Sequence, residues 1–195
     1  MPASIRVETG PMFSAKSWRL IDHIMRAEHR DEKVIAIRPM TDRHPEPYII
    51  ARRIVGGVPQ AAEKYPARIV ATRKEFRLIW SDTTISLLAI DEGQFLPDWI
   101  ISELQMTLDM RRREKFLIVV AGLNMDYKKQ PFGPMPRIMA MAAVVKVHAG
   151  VCMKCNHRKG LYTQRLHGGT EQKQPGDFGD YEVRCGICHF MFTGD

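Results

Sequence analysis

The chain has 195 residues, of which 45% are hydrophobic and 26% charged, as in an ordinary globular protein rather than a disordered or fibrous one. This length accommodates one α/β domain with a small additional module, but it excludes two full domains with separate large cores. The net charge of +7 is compatible with binding to nucleic acid or with a small anionic substrate, so the placement of the basic residues has to decide between them.

Five short runs of branched apolar residues predict β-strands. They are continuous rather than alternating, which is typical of strands covered on both faces, and they comprise residues 5–7, 34–37, 68–71, 85–90 and 116–121. Two stripes with helical spacing lie between them, one at Trp18, Ile21, Ile24 and Met25, the other at Trp99, Ile101, Leu104 and Leu108. The alternation predicts an α/β fold with a parallel sheet and helices on both faces.

A phosphate-binding loop follows the first strand and precedes the first helix. Its residues are Gly10, Pro11, Met12, Phe13, Ser14, Ala15, Lys16 and Ser17. In a Walker A loop, backbone N–H groups surround the phosphates of ATP, Lys16 neutralises the β and γ oxygens, and Ser17 holds Mg²⁺. Ala15 departs from the pattern, which has glycine there, and its methyl group is expected to crowd or strain the loop. The alternative is an ordinary strand–turn–helix junction.

An acidic pair, Asp91 and Glu92, directly follows the strand over residues 85–90. Two acids at a strand end can be a solvated terminus. After a phosphate-binding loop, they favour a Walker B element in which Asp91 is a water-mediated magnesium ligand and Glu92 is a general base.

The densest basic run comprises residues 111–113 at the end of the second predicted helix. Cations there complement the negative end of the helix dipole, so we expect a solvated helix terminus rather than a nucleic-acid contact. The other basic residues are scattered and are not interleaved with aromatic residues. ATP, as an anionic substrate, accounts for the charge equally well.

All four cysteines lie in two C-x-x-C pairs near the end of the chain: Cys152, Cys155, Cys185 and Cys188. Such pairs joined by a loop are typical of a zinc ribbon with a closed, structural Zn²⁺ site. Disulfides are disfavoured in a chain without a signal peptide, and a redox site needs only one pair. His157 and His189 are possible substitute ligands. We expect a nucleotide-binding domain over 1–149 and a small zinc-binding domain over 150–195.

The sequence resembles the cellular-type thymidine kinase family over nearly its whole length. The phosphate-binding loop, the acidic segment 91–95 and both cysteine pairs match in order and spacing, as do shorter segments at 121–123, 131–133 and 162–166. The resemblance implies ATP-dependent phosphorylation of thymidine or deoxyuridine with Mg²⁺. It assigns Glu92 as catalytic base, with Lys16 and Arg43 acting on the phosphates, and it adds Thr41, Asp42, Gly93 and Gln94 to the nucleotide-binding residues.

The resemblance also implies a thymidine pocket and a lasso loop between the two cysteine pairs. The pocket residues are Met12, Gln94, Phe95, Tyr127, Phe132 and Thr163. The lasso, expected between Arg165 and Tyr181, contributes Gln172, Lys173, Gln174, Pro175, Gly176 and Tyr181. The segment 172–177 departs from the family's apolar strand and Gly-Gly pair, and Pro175 lacks a backbone donor. This departure keeps open a kinase for another nucleoside, and Ala15 keeps open a degenerate nucleotide-binding protein.

Further expectations concern partners and location. The resemblance implies a homotetramer and inhibition by thymidine triphosphate, with no nucleic-acid or membrane partner. No stretch approaches eighteen consecutive apolar residues and the first residues lack the apolar core of a signal peptide, so we expect a cytoplasmic enzyme. A zinc-ribbon protein that binds nucleic acid is a further alternative, which the lack of aromatic residues among the basic ones disfavours.

Overall fold

A six-stranded parallel sheet forms the centre of the fold. The computed structural model describes residues 2–40, 47–55, 58–173 and 179–191, with the backbone alone for 53–55 and 58–62. The sheet order is β5-β2-β6-β7-β1-β8, and its strands are β1 (Ser4–Thr9), β2 (Val34–Pro39), β5 (Arg68–Val70), β6 (Leu87–Ile90), β7 (Leu117–Gly122) and β8 (Val144–Val147). All five pairings between neighbours are parallel, which confirms the predicted parallel sheet.

Both faces of the sheet are covered. One face packs against α1 (Lys16–Glu28) and the hairpin of β3 (Tyr48–Val55) and β4 (Val58–Pro66). The other face packs against α2 (Arg73–Trp80), α3 (Ile100–Met110) and α4 (Met135–Met141). The central strand β7 divides its side chains between the two cores, since Ile118 lies in one and Val119 in the other, each fully buried. Burial on both faces explains the continuous apolar runs.

The basic run at residues 111–113 is only partly the solvated helix end that was expected. Helix α3 ends just before it, at Met110, and Arg112 and Arg113 are exposed. Arg111, however, is 3% exposed, donates to the carbonyl of Ile85 at 2.8 Å and lies 3.8 Å above the ring of Phe116. The prediction was wrong for Arg111 because the chain turns back after the helix and points this side chain into the core.

Small antiparallel pairs follow the central sheet along the chain. β9 (Gly150–Val151) pairs with β10 (Lys159–Gly160), and β11 (Tyr162–Arg165) pairs with β12 (Tyr181–Arg184). A short 3-10 helix, Gly93–Phe95, follows β6. Among the described residues, no helix combines the length and the apolar character that crossing a bilayer requires.

Candidate active site

The loop between β1 and α1 has the geometry of a phosphate-binding turn. Gly10 has a φ of 142°, and a Cβ atom there would lie 2.2 Å from the carbonyl oxygen of His148, so only glycine fits. Phe13 and Ala15 have φ angles of 58° and 62° in the left-handed region. Ala15 is the residue before the first turn of α1, so the loop places backbone N–H groups at the positive end of that helix.

Lys16 folds back over the loop that precedes it. Its ammonium group donates to the carbonyl of Pro11 at 2.5 Å and lies 3.4 Å from the hydroxyl of Ser14. Burial lowers the pKa of Lys16 to about 8, and the nearby carboxylates of Asp91 and Glu92 partly oppose this shift. The side chain is therefore a partly buried donor held near the acidic pair.

The acidic pair lies at the carboxyl end of β6, opposite this loop. Asp91 is buried and accepts a hydrogen bond from the hydroxyl of Ser17 at 3.2 Å. Burial raises the pKa of Asp91 to about 7, and the charge of Glu92 adds to the shift. Arg38 opposes it. The arrangement supplies a hydroxyl and a carboxylate oxygen, both hard oxygen donors that suit Mg²⁺.

Glu92 is held in a left-handed conformation, with a φ of 55°, as the residue before the 3-10 helix. The amide of Gln94 donates to its carboxylate at 2.5 Å, and the carbonyl oxygen of the same amide accepts from the N–H of Leu123 at 2.9 Å. Gln94 thus links Glu92 to the loop after β7. The carboxylate has a defined direction, as a general base requires.

Aromatic side chains form the wall next to this amide. The rings of Phe95 and Phe132 meet edge to face with centroids 5.6 Å apart. Gly133 brings the second ring close, since its φ is 52° and a Cβ atom there would lie 2.1 Å from the carbonyl oxygen of Gln94. The wall offers a flat, mainly apolar surface of the kind that holds a planar base.

The four cysteines meet in one cluster. Their sulfur atoms all lie within 4.8 Å of one another, and no histidine or carboxylate among the described residues joins the set. Burial opposes ionisation of Cys152, but the N–H groups of Cys155 and Cys185 outweigh it and lower its pKa to about 6. Burial and the neighbouring sulfurs raise the pKa of Cys188 to about 12. Four thiolates can coexist here only around a cation, so the residues fit a zinc ion.

Residues from Gly150 onward contact both the phosphate-binding loop and the loop after β7. The hydroxyl of Thr163 accepts from the N–H of Met12 at 3.1 Å, and Gly150 lies against the carbonyl of Phe13. Gln172 donates to Asp126 at 2.8 Å and to the carbonyl of Pro131 at 3.2 Å. The C-terminal segment and the β-sheet region therefore share the walls of one site.

These elements surround a cavity of about 1090 Å³. The sequence-predicted residues that line it are Met12, Phe13, Ser14, Ala15, Lys16, Ser17, Asp91, Glu92, Gln94, Phe95, Tyr127, Phe132, Thr163, Gln172, Lys173 and Tyr181. Gly10, Pro11 and Gly93 shape the surrounding loops without lining the cavity. Six predicted residues lie outside the described ranges: Thr41, Asp42, Arg43, Gln174, Pro175 and Gly176.

Sequence reasoning did not select several residues of the cavity wall, including Arg38, Arg52, Asp126 and Arg165. Asp126 accepts from the N–H groups of Lys128 and Gln130 and so shapes the turn that presents Tyr127. An isolated acid or arginine in a polar stretch carries no periodic signal, so only its contacts identify it. Two of these residues have a signal in the sequence. Arg38 interrupts an apolar strand, and Asp126 lies shortly before a Pro-Phe-Gly turn.

Comparison with known proteins identifies relatives over nearly the whole chain. The family model described as "Thymidine kinase" matches residues 3–189. A thymidine kinase of Metamycoplasma arthritidis is 32% identical over 186 residues, covering 95% of this chain and 89% of the relative. A thymidine kinase of Mesomycoplasma hyopneumoniae is 34% identical over 188 residues, covering 96% and 95%. With a phosphate-binding loop, an acidic pair and an aromatic wall around one cavity, this chain belongs to the thymidine kinase family.

Proposed function

We propose that this protein transfers the γ-phosphate of ATP to the 5′-hydroxyl of thymidine, and of deoxyuridine, in pyrimidine salvage for DNA synthesis. The observation that carries the proposal is the shared cavity, in which the ammonium group of Lys16, the acidic pair and the aromatic wall all meet. A binding module would need neither a magnesium site nor a base. Family membership supports the same reaction.

In the proposed reaction, Glu92 accepts the proton of the 5′-hydroxyl as the hydroxyl oxygen attacks the γ-phosphorus. The bond from that phosphorus to the β–γ bridging oxygen breaks, and ADP leaves with the electron pair. Loop N–H groups and Lys16 stabilise the developing charge on the phosphate oxygens. Ser17 and Asp91 would hold Mg²⁺, which would neutralise the β and γ oxygens, and Arg43 is proposed to steady the transferring group.

Thymidine is proposed to lie against Phe95 and Phe132, with Gln94 close to Glu92 at the sugar end. Met12, Tyr127, Thr163, Gln172, Lys173 and Tyr181 complete the proposed pocket, together with Gln174, Pro175 and Gly176. Hydrogen bonds join Met12 to Thr163 and Gln172 to Asp126. Polar groups from both ends of the chain can therefore recognise one small base.

We propose that Cys152, Cys155, Cys185 and Cys188 bind a structural Zn²⁺, and that 1–149 and 150–195 are two domains. The close approach of the four sulfur atoms supports the ion. The ion would fix both ends of the lasso loop rather than take part in chemistry. A homotetramer, inhibition by thymidine triphosphate and a cytoplasmic location remain proposals that follow from the family.

The test is ATP turnover by the purified protein against a panel of deoxynucleosides, with product identified by mass. We expect thymidine to give the highest kcat/KM, with deoxyuridine next. A different preferred nucleoside would indicate that the altered segment at 172–177 has changed specificity. Lack of turnover with every nucleoside, despite bound ATP, would refute the proposal and favour a degenerate nucleotide-binding protein.

A further inference from the structure

Arg165, the last residue of β11, is an unusually buried cation. Only 1% of its surface is exposed, and it is among the largest fully buried side chains. Burying a guanidinium removes its hydration, a cost that close hydrogen bonds have to offset. Arginine is retained at such a position when its planar set of five donors is needed.

The hydrogen-bond partners of Arg165 are neutral groups of the lasso itself. One terminal nitrogen, Nη1, donates to the carbonyl of Gly169 at 2.6 Å and to that of Glu171 at 2.7 Å. The other, Nη2, donates to the hydroxyl of Tyr181 at 2.8 Å. The guanidinium carbon lies 3.7 Å from the centre of the Tyr127 ring. The flat face of the guanidinium group thus stacks on the Tyr127 ring, while its N–H groups donate hydrogen bonds from the edge.

A second set of contacts holds the residues between those carbonyls. The carbonyl of Thr170 accepts from the hydroxyl of Tyr127 at 2.7 Å and from the ammonium group of Lys128 at 2.8 Å. Gln172 donates to Asp126. Each residue of the segment Gly169–Gln172 therefore makes such a hydrogen bond. The first three accept from side chains at positions 127, 128 or 165, and Gln172 donates to the side chain at position 126.

This four-residue segment leads into the cavity wall, and its last residue, Gln172, is part of that wall. Gln172 and Lys173 line the cavity together with Tyr127, Arg165 and Tyr181. The segment begins with Gly169, directly after Gly168, so its backbone would otherwise lose much conformational entropy on becoming ordered. Contacts made before substrate binds would remove that cost from the binding step.

We infer that Arg165 is a positioning residue, which holds Gly169–Gln172 against Tyr127 so that the nucleoside end of the cavity is formed before substrate arrives. This inference rests on the proposed function for the identity of the nucleoside. The Arg165 side chain orders the wall and does not contact the reacting atoms. The loop around Lys16 has no hydrogen bond to Arg165 among the described contacts, so ATP binding is expected to be independent of it.

The first test compares Arg165→Met with the control Arg158→Met, which alters an exposed arginine of the same C-terminal region. In Arg165→Met we expect KM for thymidine to rise about 10- to 100-fold because several charged hydrogen bonds are lost. KM for ATP and kcat should stay within about threefold, and the zinc content should not change. Arg158→Met should match the unaltered enzyme.

The second variant is Arg165→Lys, which keeps the charge but loses the stacking plane and most of the donors. An intermediate rise in KM for thymidine, about fivefold, is expected. Recovery of the full value by lysine would show that charge alone is needed and would overturn the inference. If Arg165→Met fails to fold, as judged by its thermal transition, Arg165→Lys carries the test.

Amide hydrogen exchange tests the contact without any turnover. Peptides covering 166–173 should exchange at least about tenfold faster in Arg165→Met than in the unaltered protein. Their exchange rate in Arg158→Met should equal that of the unaltered protein. Unchanged exchange, or equal increases in KM for both substrates, would overturn the inference. If the unaltered protein does not phosphorylate thymidine, the proposed function fails, whereas the exchange result still decides the role of Arg165.

Discussion

Phe13, Ala15 and Glu92 have φ angles of 58°, 62° and 55°, a conformation that residues with a Cβ atom rarely adopt. All three line the same cavity. Each costs about 1–3 kcal/mol unless its surroundings hold it in place, and such residues concentrate at functional sites. At Ala15, the sequence pattern and the geometry agree, because the position where the pattern has glycine is left-handed.

Ala15→Gly is predicted to raise the free energy of unfolding by about 1 kcal/mol, because glycine adopts this conformation without steric cost. The strain is present without a nucleotide, so we expect a gain in stability with kcat and KM for ATP changed by less than about threefold. Denaturant titration measures the first quantity and steady-state kinetics the second.

The matched control for that change is Ala27→Gly, at a buried position in the last turn of α1. There the same substitution should destabilise the protein by about 1 kcal/mol, since glycine is a poor helix former. Equal destabilisation by both substitutions would contradict the strain argument. A gain in kcat of ten-fold or more in Ala15→Gly would instead place the strain in the catalytic step.

Glu92→Gln is predicted to lower kcat by about 10²- to 10⁴-fold, because the amide keeps the shape of the side chain but cannot accept the proton. Affinity for ATP should remain within a few-fold, as measured by equilibrium titration. Asp98→Asn is a suitable control, since Asp98 is an exposed acid outside the cavity wall. Retention of most of kcat in Glu92→Gln would show that another group is the base.

At the scale of the elements, continuous apolar runs predicted five of the six strands of the parallel sheet, because a strand buried on both faces has no polar alternation. The hairpin of β3 and β4 and the edge strand β8 were missed. The β4 sequence contains two prolines and several polar residues, so it lacks the composition of a core strand. The β8 sequence, Val-Val-Lys-Val, does have apolar β-branched residues, although the strand is exposed along its length, so its composition was a readable signal. α2 was missed although Thr72 and Glu75 form a capping box, a readable start signal.

The residues of the candidate site also include some that sequence motifs predict and some that only the fold identifies. Gly10, Lys16, Asp91 and the cysteine pairs belong to local motifs, so spacing along the chain was sufficient to select them. Arg165 is selected only by partners up to 38 residues away, such as Tyr127, and no short pattern records such contacts. Local motifs can be predicted from sequence, whereas a residue that acts by joining distant loops requires the fold.

Cys185→Ser tests the role of the metal at the element scale. Zinc content should fall from about one ion per chain to well below it, since three thiolates bind zinc more weakly than four. KM for thymidine should rise more than KM for ATP, because β11 and β12 lead from the cysteine pairs into the cavity wall. Elemental analysis and kinetics on the same preparation measure both effects.

The control is His157→Ala, which alters the side chain next to the first cysteine pair. Its Nδ1 atom bonds to the carbonyl of Cys155 and it is exposed. Zinc content and both KM values should be unchanged if the four cysteines are the ligands. Loss of zinc in this variant, with zinc retained in Cys185→Ser, would contradict the assignment.

At the scale of the whole molecule, Glu8 joins three elements of the fold. It lies on β1, is 1% exposed, and bonds to His23 of α1 at 3.0 Å, to Arg6 at 2.7 Å and to His148 just after β8. Burial alone would raise the pKa of Glu8. The bonds from Arg6, His148 and His23 outweigh burial and lower the pKa to about 2.

The contribution of Glu8 to the free energy of unfolding depends on pH, because folding changes the proton affinity of its carboxylate. Because the pKa of Glu8 is lower in the folded state than its ordinary value of 4.5, its contribution to stability is present above pH 4.5 and is lost as the pH falls toward 2. The shift corresponds to about 3 kcal/mol. Loss of this contribution should loosen the packing of α1 and β8 on β1 together, because one carboxylate holds both.

Glu8→Gln is therefore predicted to be about 3 kcal/mol less stable than the unaltered protein at pH 7, with the difference shrinking between pH 4.5 and 2. Zinc loss in acid affects both proteins alike and cancels in the difference, which denaturant titration at each pH measures.

Glu32→Gln is the matched control. The pKa of Glu32 is also lowered to about 2, first by a hydrogen bond from Arg30, but Arg30 is about half exposed. Its effect should stay below about 1 kcal/mol and vanish in high salt. A difference for Glu8→Gln that does not vary with pH would show that Glu8 stabilises the fold by packing rather than by its charge.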